Sequence, residues 1–317
     1  MGGRLRRELR LAGLAALLAG SAASAAGYAA DSGLWLRERY QAEVDRQLSL
    51  PPEAEQRYAQ ALASALDAAG QHTLSAQYLL LVDRDPKVQA ILLWWLSEQG
   101  QLALIGAAPV STGKPGEYEH FLTPTGVFVH SPANFDHRSE GTENKLGILG
   151  YGEQGLRVYD FGWQLAPRGW GAGGSSLMRL VLHATDPRYL EPRLGTAQSK
   201  GCVRIPATLN RFLDHYGLLD ADYEPRAYEP KLRWLLRPDR EPTPWPGRLL
   251  VVIDSGLPER PAWSPKPSGN GAAHAASKAA AADAAAADSQ PPCLPAPAAP
   301  LAPASDPGQC RPLAYRP

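Results

Sequence analysis

Between Gln77 and Asp254 the apolar residues come in short runs, each closed by a turn signal, and this punctuation most constrains the fold. Tyr78 to Val82 and Val88 to Leu96 are the first two runs, and Leu102 to Val110 follows the turn signal Glu98-Gln99-Gly100-Gln101. Thr125 to Val129, Gly155 to Tyr159, Leu177 to His183 and Arg248 to Asp254 complete the set. Runs of this length, bounded by Gly, Pro and polar residues, read as strands. Pro206 to Tyr216 reads instead as a helix, with proline in its first turn and Gly217 at its stop. The expectation is a mainly β core of about one domain's usual size.

The flanks differ in character. Leu36, Tyr40, Val44 and Leu48 recur every four residues as one helical stripe, Pro51-Pro52 interrupts, and Tyr58, Leu62 and Leu66 resume the spacing until Gly70. A short helical N-terminal region over 31–72 is expected, as a packing or spacer element without chemistry. Ahead of it, Arg4, Arg6, Arg7 and Arg10 precede the apolar stretch Leu11 to Ala19 and the small-residue site Ala23-Ser24-Ala25. That order is the secretory pattern, so 1–25 reads as a signal peptide and the mature chain as exported, to the periplasm or cell wall. An uncleaved membrane anchor is the alternative. No later stretch is apolar over the roughly 20 residues a spanning helix needs, so no transmembrane segment is expected in the mature chain. Positive and negative side chains balance at 32 each, which argues against nucleic acid as a partner. Past Pro258 the sequence collapses into Ala, Pro and Ser, and 256–317 reads as a disordered tail that acts as a spacer.

Export makes the three cysteines informative. Cys293 and Cys310 both lie in the tail and could pair with each other, leaving Cys202 free; a bond from Cys202 to one of them is the alternative. Cys202 follows the strand-ending His183 by nineteen residues. A thiol attacks as the thiolate, and a nearby histidine can take its proton. Gly201 permits close backbone approach, so the amides of Gly201 and Cys202 could face a developing oxyanion. Spacing alone leaves a buried cysteine and a satisfied histidine equally open. His120, His130 and His137 lack the spacing of a zinc site, so neither metal nor cofactor is expected. His215 falls on the helix and reads as surface or packing. Asp186 or a backbone carbonyl would orient His183. Arg188, Arg193 and Arg204 flank the cysteine loop and would suit acidic peptides, although solvated loop arginines are the commoner case.

The motifs "STGKPG" (111–116), "TPTGVF" (123–128), "LHAT" (182–185) and "SKGCVRI" (199–205) occur in that order. Together they resemble the L,D-transpeptidase catalytic domain, the YkuD-type family, over 75–255. The resemblance implies a β-sandwich with a capping helix and a substrate among peptidoglycan stem peptides. It implies Cys202 as nucleophile, His183 as proton donor and acceptor, and backbone amides near Gly201 and Cys202 as the oxyanion site. Ser199 would support the loop, and Arg204 would hold it or meet a substrate carboxylate. The thiolate would attack the carbonyl of the third stem residue, expel D-alanine, and pass the acyl group to an amine on a second stem or a wall-attached protein. Three departures stand out: Lys200 where the family usually has histidine, Ala184 where it usually has glycine, and an extra segment over about 218–247. Lys200 could lower the thiol pKa by its charge or face solvent. A hydrolase using the same Cys202–His183 pair is the alternative within enzymes, and a non-catalytic wall-binding domain is the alternative outside them. A papain-like peptidase would carry its cysteine before its histidine, the reverse of the order here.

Overall fold

The computed structural model describes residues 35–266. The signal peptide expected over 1–25, Cys293, Cys310 and the part of the expected tail beyond 266 lie outside the described residues. Two helices, α1 (35–43) and α2 (Pro52–Ala68), precede the strands. The strands are β1 (Gln77–Asp83), β2 (Ala90–Leu96), β3 (Leu102–Pro109), β4 (Gly126–Val129), β5 (His137–Arg138), β6 (Arg157–Pro167), β7 (Ser175–Ala184) and β8 (Val203–Ile205). Helix α3 (Ala207–His215), the short α4 (Pro230–Arg233) and β9 (Leu249–Ile253) complete the chain.

The strands form two sheets, β3-β2-β1-β9-β4 and β5-β6-β7-β8, as the mainly β expectation required. β1 and β2 are buried at every residue. One face of β1, through Tyr78, Leu80 and Val82, packs with Leu180, Leu182 and Val203 of the second sheet. Its other face, through Leu79 and Leu81, packs with Tyr58, Leu62 and Leu66 of α2. A strand covered on both faces needs no polar alternation, which is why these runs are continuously apolar. Helix α3 caps the sandwich core through Leu209, Phe212 and Leu213.

Three boundaries differ from the sequence reading. The stripe Leu36, Tyr40, Val44, Leu48 is not one helix, because α1 ends at residue 43. Gln47 Nε2 donates to the carbonyls of Gln41 at 2.9 Å and Val44 at 2.5 Å, and Leu48 N donates to Ala107 O on β3 at 2.9 Å. The polar side chain satisfies the helix end, and the following backbone turns to the sheet. Strand β6 continues well past Tyr159, because Gly162 sits at φ +77° and a bulge between Asp160 and Trp163 breaks the period. The folded chain also extends past Pro258: Trp263 packs edge-on against Tyr58 at 5.7 Å, and Ser264 Oγ donates to Lys87 O at 2.8 Å.

The segment over 218–247 is folded onto the domain. Tyr223, Leu232, Leu235 and Leu236 form a small cluster with Phe135. Beneath it Arg157, fully buried, pairs with Asp136 at 2.8 Å, Asp220 at 2.7 Å and Asp214 at 3.3 Å. Removing one partner of such a buried ion cluster costs about 3–5 kcal/mol, since a charge is left uncompensated.

Candidate active site

Strand β7 alternates. Leu180 and Leu182 enter the sandwich core, so Arg179, Val181 and His183 belong to the opposite face. β8 runs parallel to β7 with Leu182 opposite Val203 and His183 opposite Arg204. Paired residues share a face, and Cys202, one position before Val203, shares the face of Arg204. The register therefore sets Cys202, Arg204 and His183 on one side of the second sheet. Ala184, opposite Ile205, packs against Leu156 and Ala207, so the methyl group has a place where the family usually carries glycine.

The two upstream motifs grip the loop that presents the thiol. Ser111 and Arg204 exchange backbone hydrogen bonds at 3.0 and 2.9 Å, and Lys114 N donates to Ser199 O at 2.9 Å. Phe121 N donates to Lys200 O at 3.1 Å, and Thr123 Oγ1 to Gly201 O at 2.7 Å. Gly113 passes so close to Phe121 that a Cβ there would lie 1.9 Å from its carbonyl oxygen. Gly201 itself sits at φ +127°, with Met178 Sδ 2.7 Å from where a Cβ would stand.

Ser199 Oγ donates to Cys202 O at 2.6 Å and accepts the Gly201 amide at 3.0 Å. Ser199 Oγ thus joins two backbone groups of the loop, and the Gly201 amide is committed inside the loop rather than presented to a substrate oxygen. The Cys202 thiol itself donates to the Arg179 carbonyl at 3.9 Å.

His183 is 4 % exposed, and its Nδ1 donates to the Ala184 carbonyl at 2.5 Å. That bond fixes the tautomer and leaves Nε2 as the acceptor. The backbone carbonyl therefore orients His183. Asp186 is engaged elsewhere, accepting the amides of Leu149, Arg188 and Tyr189 at 3.0, 2.8 and 2.7 Å. Burial, and then the Arg204 charge, push the His183 pKa down to about 3, so the imidazole is neutral. Burial raises the thiol of Cys202, against the pull of the Val181 backbone and the Arg204 charge. Both shifts favour the neutral forms, a thiol and an imidazole, over a charged pair at rest.

The charge of Lys200 acts on Glu117, whose carboxyl is held down first by its bond from Lys114 and then by the charges of His120, Lys114 and Lys200. Arg204 N–H groups serve the loop: Nη1 donates to Gln198 O at 3.3 Å. Arg188 pairs with Glu143 at 2.9 Å, and Arg193 donates to Gln198. His120 is buried with Nδ1 donating to Lys114 O at 3.2 Å, and His130 contacts Asp136 and the Leu219 carbonyl. His215 packs edge-on against Tyr216.

The sequence reading missed Tyr151, Asp160 and Arg179. The Tyr151 ring meets His183 edge-on at 4.8 Å and His137 at 5.5 Å, and burial pushes its hydroxyl up to about 12. Asp160 and Arg179 pair across β6 and β7 at 2.5 Å. The signal for Asp160 and Arg179 was a single charge inside each of two apolar runs, "VYDFGW" and "LMRLVL". Two clefts among the described residues, one beside the 47–50 segment and one beside α3, are lined by neither Cys202 nor His183.

The strand register thus sets a cysteine and a histidine of fixed tautomer on one face of a sandwich sheet, the residue types that nucleophilic catalysis by a thiol uses. Residues 77–218 match the model of the L,D-transpeptidase catalytic domain, YkuD, a family of cysteine-dependent transpeptidases acting on peptidoglycan peptides. Among curated proteins no significant match is found. No helix among the described residues is long and apolar enough to cross a membrane.

Proposed function

We propose that the chain is an exported peptidoglycan L,D-transpeptidase with Cys202 as nucleophile and His183 as general base. The register that sets both side chains on one sheet face, with His183 Nδ1 committed to Ala184, carries this reading. His183 Nε2 takes the thiol proton as sulfur attacks the L-centre carbonyl of the third stem residue. The carbon–nitrogen bond to the terminal D-alanine breaks, and the proton passes to the departing amine. An amine acceptor then attacks the thioester and regenerates the thiol. The His183 imidazole is neutral at rest, and with Nδ1 held by the Ala184 carbonyl its Nε2 is the nitrogen open to a proton. Export, to the periplasm or wall, rests on the basic, apolar and small-residue order of the first 25 residues.

The test is intact-mass spectrometry after exposure to a carbapenem, a drug class that acylates the family's thiol. One drug-sized adduct, absent from Cys202→Ala, is the expected result. A folded protein with a free thiol and no adduct would sink the proposal. Incubation with a tetrapeptide donor then separates the fates of the acyl group: cross-linked dimers mark transfer, and free tripeptide alone marks hydrolysis.

A further inference from the structure

The reaction proposed above breaks the bond one residue from the C-terminus of its donor. The carboxylate of the departing amino acid therefore lies only two bonds, about 2.5 Å, from the scissile nitrogen. A site for such a donor must hold an anion at the mouth of the thiol. The loop arginines singled out from the sequence each have a partner: Arg204 Nη1 donates to Gln198 O, Arg193 donates to the Gln198 side chain, and Arg188 is paired with Glu143.

Arg179 is placed for that anion. It lies on the same face of β7 as Val181 and His183, and its carbonyl accepts the Cys202 thiol at 3.9 Å. The Tyr151 ring, edge-on to His183 at 4.8 Å, carries a hydroxyl on which the charges of Arg179 and Arg204 both act. Asp160, 1 % exposed, accepts Arg179 Nε at 2.5 Å and takes the Gly162 amide at 2.7 Å with its other oxygen. A buried carboxylate fixed at both oxygens holds the guanidinium by its inner nitrogen. Half of the Arg179 side chain is exposed, and the two Nη groups form the outward fork that matches a carboxylate.

We infer that Arg179 binds the free C-terminal carboxylate of the donor peptide and makes the enzyme selective for stems that end in an unmodified carboxylate. This rests on the transpeptidase reading and adds the group that recognises the leaving residue. Asp160 is the positioning residue that aims it.

The experiment compares two tetrapeptide donors, one with a free C-terminal carboxylate and one with a C-terminal carboxamide, on the full chain and on Arg179→Gln and Arg179→Lys. The wild type is expected to favour the free acid by about 10- to 100-fold in kcat/KM. Arg179→Gln should lose that preference by falling on the acid alone, mostly through KM, and Arg179→Lys should keep part of it. Alkylation of Cys202 by iodoacetamide, a neutral reagent, reports the thiol itself in each variant, and a change there alone falls on both donors alike, so the acid-to-amide ratio of kcat/KM is the readout that isolates carboxylate binding. Equal losses on the two donors, or an undiminished preference in Arg179→Gln, would overturn this inference and leave the transpeptidase reading intact. A wild type that acylates with neither donor overturns both.

Discussion

Thr123 Oγ1 donates to the Gly201 carbonyl at 2.7 Å while accepting the Gly113 amide at 2.9 Å. One hydroxyl thereby joins the "STGKPG" turn, the "TPTGVF" turn and the loop that carries Cys202. All of it is buried, so both backbone groups would be left unsatisfied without it. Thr123→Val keeps the branched shape and removes only the hydroxyl. It should cost about 1–3 kcal/mol in stability, read as a fall in Tm. It should also slow Cys202 acylation by roughly tenfold or more, because the loop loses its tether to the donor site. Thr123→Ser should restore most of both. An acylation rate untouched in Thr123→Val would show that the loop holds its shape unaided.

Gly201→Ala tests the same loop from the steric side. At φ +127° a side chain is strained, and the new methyl would meet Met178 Sδ at 2.7 Å, Met178 Cε at 2.9 Å and Phe121 Cβ at 3.0 Å. Backbone strain of this kind costs about 1–3 kcal/mol before any repacking. The expected outcome is a lower Tm and little or no acylation at Cys202. Adding Met178→Ala should recover the packing part of the stability and not the strain. Full recovery in the double variant would mean that the conformation at 201 is dispensable.

The sandwich and the thiol–imidazole pair were legible because each rests on a local pattern. Buried strands announce themselves as short apolar runs, and the motif order brings His183 and Cys202 together whatever lies between. What escaped depends on long-range satisfaction of polar groups. The end of α1 is set by Gln47 turning back onto helix carbonyls, which the apolar stripe through Val44 and Leu48 conceals. The Gly201 amide looked available until Ser199 Oγ was seen to accept it. Asp160 and Arg179 stood in the sequence as isolated charges in two strands, nineteen residues apart, and only the antiparallel pairing of β6 with β7 makes them partners. Trp263 and Ser264 fold back onto α2 and the 86–88 turn despite a composition that resembles a tail.

The resting protonation states predict an unusual reactivity profile for the thiol. Burial raises the Cys202 pKa, so the thiolate is scarce at neutral pH and grows as pH rises toward the raised value. His183, depressed to about 3, stays neutral throughout and contributes no step near the ordinary histidine range of about 6.5. Iodoacetamide alkylation of Cys202 should therefore climb steadily from pH 6 to pH 9 without a plateau. An ion-paired cysteine would instead react at a rate that is flat across that window. A plateau beginning below pH 7 would show that the pair is charged at rest.

His130 gives the clearest signature of stability against pH. Its Nδ1 faces the Leu219 carbonyl at 2.8 Å and its Nε2 faces Asp136 at 2.9 Å, so both ring nitrogens must donate and the imidazole is doubly protonated. Burial opposes that charge, but Asp136 outweighs it and the His130 pKa is raised above the ordinary value. A raised folded pKa contributes stability that is fully present below the unfolded value of about 6.5 and is lost as pH climbs through the folded one. His183 runs the opposite way: its depressed pKa adds stability above about 6.5 that is lost as pH falls toward 3. The two oppose each other in the wild-type curve, so the difference between wild type and His130→Gln isolates the first. Thermal melts from pH 5 to pH 9 should show the variant destabilised most at acidic pH, by about 3 kcal/mol or more, since Asp136 loses a buried partner. That gap should narrow as pH rises and wild-type His130 gives up its proton. A gap constant across the whole range would mean that His130 is neutral in the fold and that one of its two acceptors goes without a proton.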